Sequence, residues 1–150
     1  MDSMPNTSEH EYNQTPRDKF VAEHAQSIMD RVQILNHLQK YKSAARLARW
    51  LLVRRSYPMD QFGFDAASNL AFAYQNDQHT GLASTFIQEA IYKDFASNHL
   101  APSLYKADAK ERMADLSELR ANPVRARRYR AEAKEIREQL KEIVSEQKRN

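Results

Sequence analysis

The 150-residue chain contains no cysteine and only two glycines. Without cysteine it forms no disulfide, no Cys-ligated zinc or iron–sulfur centre and no thiol nucleophile. Two glycines are too few for the phosphate-binding loops of P-loop and Rossmann proteins. They are also too few for the many positive-φ turns of an all-β chain. The absences therefore exclude the cysteine-dependent, P-loop and Rossmann classes and argue against an all-β chain.

The sequence also lacks a long apolar run. Its longest strongly apolar stretch covers residues 50–53, whereas a membrane-spanning helix needs about 20 apolar residues. The first seven residues contain neither the basic region nor the apolar region of a secretory signal peptide. We therefore expect a cytoplasmic protein without a membrane partner.

What the chain does contain is typical of helices. Alanine, leucine, arginine, glutamate and lysine are abundant, and these residues have high helix propensity. Apolar residues recur at intervals of three or four positions, which indicates amphipathic helices. Their stripes include Leu38, Ala90 and Leu119, which we expect to be buried. We predict an all-α fold of about six helices in antiparallel pairs, at residues 18–39, 42–55, 65–76, 82–95, 103–121 and 123–147.

These helices divide the chain into three parts. Residues 1–17 are polar and without a helical period, so we expect a flexible tail. Residues 18–121 form the predicted helical-repeat domain. Residues 122–150 form a long, basic, capping or docking helix, for which Asn122 and Pro123 supply a typical N-cap and first helical residue.

One segment of the chain matches the pattern of a known repeat. With Phe64 as position 1, the characteristic positions 7, 8, 11, 20 and 27 of a 34-residue, two-helix unit are occupied by Leu70, Ala71, Tyr74, Ala83 and Ala90. Residues 64–97 therefore resemble a tetratricopeptide repeat. A partial match precedes it, because residues 40–58 fit the second helix of such a repeat. The resemblance implies helical pairs stacked into a solenoid.

In the tetratricopeptide family, the first helices of the repeats line a concave groove that holds peptides. The resemblance places five residues of this chain in such a groove: Asp65, Ser68, Asn69, Phe72 and Gln75. Asn69 matches an asparagine that family members use to bind a peptide backbone or carboxylate. The resemblance thus implies a non-catalytic adaptor or scaffold component that binds a partner peptide or helix. The alternative is that these residues form the ordinary surface of a helical spacer.

Charge is distributed in blocks along the chain. Residues 31–59 carry seven basic and no acidic groups. Residues 60–119 carry four basic and nine acidic groups, and residues 120–150 carry ten basic and five acidic groups. Such asymmetry indicates either an electrostatic partner or pairing between the blocks of one molecule.

Two basic clusters follow from these blocks, and both contain aromatic residues. The candidate binding residues are Arg46 and Arg49 in the first cluster (residues 40–55) and Arg125 and Arg128 in the second (residues 125–130). Cations interleaved with aromatic rings suit contacts with phosphates and stacked bases. A nucleic-acid-binding protein is therefore one alternative to the adaptor, and a structural subunit of a large particle, viral or cellular, is another.

The last predicted helix carries a narrow apolar stripe. Its members are four or three residues apart, at Tyr129, Ala133, Ile136, Leu140 and Ile143. This spacing is typical of a helix that packs along another helix. Self-association through the C-terminal helix is therefore a further hypothesis.

Motifs for catalysis or metal binding are missing from the sequence. No two of the five histidines are four residues apart, no glutamate precedes a histidine by three residues, and there is no G-x-S-x-G. Helical two-histidine and di-iron sites need those spacings. No carboxylate lies in an apolar sequence setting that would shift its pKa. We expect no enzymatic activity, no cofactor and no metal.

Overall fold

The computed structural model describes residues 15–54, 60–77, 83–98 and 101–149. In these ranges the chain is helical and contains no strand, which confirms the predicted all-α class. The helices are α1 (Pro16–His37), α2 (Tyr41–Arg54), α3 (Asp60–Asn76), α4 (Ala83–Ser97), α5 (Leu104–Leu119) and α6 (Pro123–Arg149). With 27 residues, α6 is the long C-terminal helix that the sequence predicts. The predicted tail at residues 1–14 lies outside the described residues.

Local sequence explains where several helices begin. α1 starts at Pro16, two residues before the predicted start, because a helix tolerates proline in its first turn. The side chain of Ser103 caps α5 by accepting a hydrogen bond from the Lys106 amide at 3.0 Å. Asn122 caps α6 as predicted, since its Oδ1 accepts from the Arg125 amide at 3.1 Å.

Two helices end in left-handed residues that are not glycine. Gln39 after α1 has φ 61° and Ala121 after α5 has φ 57°. Around Gln39, the Lys40 amide donates to the Leu35 carbonyl at 2.8 Å. Around Ala121, the Asn122 amide donates to the Ser117 carbonyl at 2.9 Å. Both are Schellman turns, in which glycine is the usual left-handed residue.

The helices pack in chain order as antiparallel neighbours. Each helix contacts the next, and α3 also contacts both α1 and α5. In the described part of the chain, the backbones of α2 and α4 do not touch, nor do those of α4 and α6. The odd-numbered helices therefore form one continuous row, and the even-numbered helices flank it without contact between their described backbone residues.

Alanine dominates the core, which explains how closely the helices approach. Thirteen buried positions are alanine: Ala25, Ala44, Ala48, Ala66, Ala67, Ala71, Ala73, Ala96, Ala107, Ala109, Ala114, Ala126 and Ala133. Larger buried side chains such as Met29, Leu51 and Met113 fill the space between these contacts. Leu52 packs against three of the four buried clusters and so joins them into one core.

Three residues predicted to be buried are exposed. Leu38 follows the last residue of α1 and Leu119 is the last residue of α5, so no neighbouring helix covers either side chain. Ala90 lies on the side of α4 that borders an open groove between α2 and α4. The helical period predicts these stripes correctly but does not show where the facing helix stops.

Candidate binding surfaces

A cleft opens where α3, α4 and α5 meet. Its volume is about 510 Å³, and we call it the inner cleft. Its lining residues are Ser68, Ala71, Phe72, Gln75, Ser84, Thr85, Gln88, Tyr92, Arg112, Asp115, Leu116 and Leu119. α3 and α5 form the two walls and α4 forms the floor, because all four lining residues of α4 are buried. The cleft therefore lies in the row of odd-numbered helices.

The walls and floor of the inner cleft differ in chemistry. Phe72 on α3 is 46% exposed and Leu119 on α5 is 68% exposed, so each wall presents an apolar side chain. The floor is polar: Gln88 Nε2 donates to Ser84 Oγ at 3.2 Å. Tyr92 Oη donates to Ser68 Oγ at 3.3 Å where the floor meets α3. An occupant would thus meet apolar groups at the rims and hydrogen-bonding groups between them.

The structure divides the five predicted groove residues into two sets. Ser68, Phe72 and Gln75 line the inner cleft. Asp65 and Asn69 do not line it. The side-chain Nδ2 of Asn69 lies 3.8 Å from Met29 Sδ on α1 and donates to the main-chain carbonyl of Asp65 at 2.9 Å. Burial raises the pKa of the Asp65 carboxyl.

Asn69 is part of a polar contact between α1 and α3. Asn36, which is buried in α1, donates from Nδ2 to the Asn69 carbonyl at 3.1 Å and is 3.4 Å from Asn69 Oδ1. Within the described residues, Asn36 Oδ1 has no hydrogen-bond partner. The asparagine that the resemblance assigns to peptide binding therefore joins two helices here.

Sequence reasoning missed the floor and the second wall of the inner cleft. Ser84 and Gln88 are four residues apart on α4, and Arg112, Asp115 and Leu119 recur at helical spacing on α5. These stripes are visible in the sequence. Which stripe faces α3 depends on how the helices are rotated, and the sequence does not show that rotation.

The basic cluster of α6 lies against acidic residues of α5. Arg130 is 3.2 Å from Asp115 and also hydrogen-bonds Glu118. This hydrogen bond lowers the pKa of the Glu118 carboxyl. Further along α6, Arg137 lies 3.2 Å from Asp108. Because α5 and α6 run antiparallel, the acidic residues of α5 lie beside the basic residues of α6.

Arg125 pairs with a buried carboxylate that the sequence reasoning missed. Glu89 on α4 lies 3.6 Å from Arg125, accepts a hydrogen bond from Tyr129 at 3.1 Å and pairs with Arg120. Burial alone would raise the pKa of Glu89. The hydrogen bonds from Arg120 and Tyr129, with the charges of Arg120 and Arg125, outweigh burial and lower it. The expectation from the sequence concerned apolar settings, whereas the pKa of Glu89 is lowered by hydrogen bonds and charges of residues more than 30 positions away.

Arg128 faces outward from the same cluster. Its side chain is exposed, and its guanidinium carbon lies 5.3 Å from the centre of the Tyr129 ring. Arg125 lies 6.0 Å from the same ring. Of the two predicted binding residues of α6, Arg125 is thus paired with Glu89, whereas Arg128 is exposed.

The first basic cluster lies on α2. Arg46 and Arg49 are both exposed and line a cleft of about 270 Å³ between α2 and the end of α3. Arg49 donates a hydrogen bond to Tyr74 Oη, and its guanidinium carbon lies 5.4 Å from the Tyr74 ring centre. The structure therefore brings both predicted binding residues of α2 to one cleft. Residue 55 of this cluster lies outside the described residues.

The C-terminal stripe of α6 is only partly covered. Ala133 and Ile136 are buried and Leu140 is half-buried, but Ile143 and the neighbouring Val144 are exposed. The reason is that α6 is longer than α5, so its last turns extend past the helix that covers the first part of the stripe.

No family model, no curated protein and no solved structure matches the sequence. Among the described helices, none combines the length and the apolar character needed to cross a membrane. In the same residues, no three histidine or carboxylate side chains are grouped closely enough to hold a metal ion.

Proposed function

We propose that this protein is a non-catalytic adaptor or scaffold component whose inner cleft holds an extended segment of a partner protein. The observation that carries the proposal is the arrangement of this cleft, with exposed Phe72 and Leu119 on opposite walls and a polar floor between them. Exposed aromatic and aliphatic side chains beside a concavity are typical of protein-binding sites.

The chemistry of the cleft suits a peptide in particular. A peptide backbone carries a donor and an acceptor at nearly every residue, and the amide and hydroxyl groups of Gln75, Gln88 and Ser84 can serve both. The exposed cation of Arg112 favours a carboxylate in the partner. We therefore expect a segment that combines apolar and acidic side chains.

The architecture we propose is a short tetratricopeptide-like solenoid. It rests on the resemblance of residues 64–97 and on the contact order, in which α1, α3 and α5 form one row. In such solenoids the row of first helices is the ligand-binding side. We also place the protein in the cytoplasm, for which the absence of cysteine is the support.

A selection experiment tests the proposed function. A phage-displayed library of random 12-residue peptides is selected on the immobilised full chain, and the enriched peptides are synthesised and titrated. We expect enriched peptides with apolar and acidic residues, and an affinity loss of about tenfold or more in a Phe72→Ala/Leu119→Ala variant because its two anchors are gone.

The matched control is Val124→Ala, which removes an exposed apolar side chain outside the cleft. It should leave the affinity unchanged. An absence of enrichment, or peptides that bind the double variant as tightly as the unaltered protein, would contradict the proposal.

A further inference from the structure

The second surface of interest is a row of three cations on α2, which we call the α2 basic face. Lys42, Arg46 and Arg49 are separated by four and three residues, so they share one side of the helix. All three are exposed. Successive members are offset by about 6 and 4.5 Å along the helix axis, as a rise of ~1.5 Å per residue requires.

The α2 basic face lines a cleft and does not lie on a flat surface. The cleft, of about 270 Å³, is bordered by Tyr41, Lys42, Ala45, Arg46, Arg49, Ala73, Tyr74 and Asp77. A second cleft shares three of these residues and adds Lys40. Positive charge, aromatic rings and one carboxylate therefore surround the same concavity.

Within the described residues, no ion pair neutralises the α2 basic face. Arg49 is nevertheless held in place by Tyr74, through a hydrogen bond and through the contact of its guanidinium with the ring. A donor that is already ordered loses less conformational entropy when it binds a ligand. The face is thus both charged and partly preorganised.

We infer that the α2 basic face binds single-stranded nucleic acid. A row of cations can follow a phosphodiester backbone. Tyr41 and Tyr74 are half-buried and border the same cleft, and aromatic rings stack on unpaired bases.

The half-buried ring of Tyr41 at the edge of this row of cations favours a nucleic acid over an acidic protein segment. An unpaired base can stack on such a ring, whereas an acidic side chain cannot. This cleft shares no lining residue with the inner cleft, so the inference does not rest on the proposed adaptor function.

The test is fluorescence anisotropy with a labelled 12-nucleotide oligouridine and a labelled oligothymidine of equal length. We expect binding of the full chain to weaken roughly 20-fold between about 50 and 200 mM salt, because three phosphate contacts on a single strand give a slope near −2 in log K against log salt. Lys42→Ala/Arg46→Ala should weaken binding by about tenfold and flatten this slope by about 1.4.

The matched control is Arg127→Ala/Arg128→Ala, which removes two exposed cations from α6. It should change affinity less than about twofold, since neither residue borders the cleft. Circular dichroism establishes that both variants are folded.

Three results would overturn the inference. The first is an unaltered protein that binds neither oligonucleotide, and the second is an equal loss of binding in the two double variants. The third is a labelled 12-residue polyglutamate that binds as tightly as the oligonucleotides, because an acidic protein would then be the partner of this face.

Discussion

The two basic clusters of this chain are similar in sequence but differ in their surroundings. On α6, Arg125 and Arg130 lie against carboxylates of α4 and α5. On α2, Arg46 has no such neighbour in the described residues, and Arg49 contacts a tyrosine instead. The comparison teaches that similar runs of positive charge can differ in how far the packing of the fold neutralises them.

The position of α4 separates the two clusters in space. α4 borders one groove with α2, and its Glu89 reaches α6. The described residues of α2 and α6 are not in contact. We therefore do not propose one continuous basic patch across both clusters, which a larger nucleic-acid site would need.

The largest effect should come from removing the shared carboxylate of the α6 cluster. We expect Glu89→Ala to lower the free energy of unfolding by about 3 kcal/mol, because it leaves the Arg120 side chain, which is only 11% exposed, without its counter-charge. Urea denaturation measures this loss. Glu132→Ala is the control, since its partner Lys110 is partly exposed, and should cost less than about 1 kcal/mol. Equal losses would mean that Glu89 is not the centre of this contact.

The pH dependence of stability should also show that Glu89 stabilises the α6 cluster. The folded pKa of Glu89 lies below its unfolded value, so the unfolded chain binds the proton more tightly. The stabilisation is complete above the unfolded pKa of about 4.3 and is lost as the pH falls through the folded pKa.

Chemical denaturation between about pH 3 and pH 7 tests this expectation with Glu89→Gln. The unaltered protein should lose more stability toward acid pH than the variant, which has no carboxyl at this position. Curves of the same steepness for both proteins would be evidence against a lowered pKa. Asp65→Asn should have the opposite effect on the pH dependence. Burial raises the folded pKa of Asp65, so the charged carboxylate destabilises the fold above that pKa. The unaltered protein should therefore lose less stability toward acid pH than this variant.

The smallest expected change in stability comes from two similar turns, one before each basic cluster. Gln39 precedes the α2 cluster and Ala121 precedes the α6 cluster, both in the left-handed region. Gln39→Gly and Ala121→Gly should each raise the free energy of unfolding by about 0.5–1 kcal/mol, because glycine adopts this conformation without a steric cost. Thermal unfolding measures the gain. Destabilisation by either substitution would contradict the assigned turn.

The elements of the fold were largely predictable because they depend on local signals. Helical periodicity, the break before Pro123 and the Asn122 cap all act within a few residues. The start of α3 at Asp60, five residues before the predicted start, was not evident. Residues 60–64 include a glycine and two phenylalanines, which have lower helix propensity than alanine, and tertiary contacts of Phe64 with Tyr92, Phe95 and Tyr105 hold this turn in the fold.

The candidate sites were only half predictable, because they depend on how helices rotate against each other. Phe72 and Gln75 line the inner cleft, whereas Asn69 hydrogen-bonds Asn36, 33 residues earlier in the chain. Glu89 pairs with Arg120 and Arg125, more than 30 residues later. No local pattern distinguishes this glutamate from the exposed ones.

Thermal unfolding of two single charge reversals tests most directly the claim that one cluster belongs to the fold and the other is left for a partner. Arg125→Glu sets a like charge beside buried Glu89, so its Tm should fall by about 5 °C or more, which corresponds to a loss of ~2 kcal/mol in a chain of this size. Arg46→Glu should change the Tm by less than about 2 °C. A drop of similar size in both variants, or a stable Arg125→Glu variant, would contradict the account.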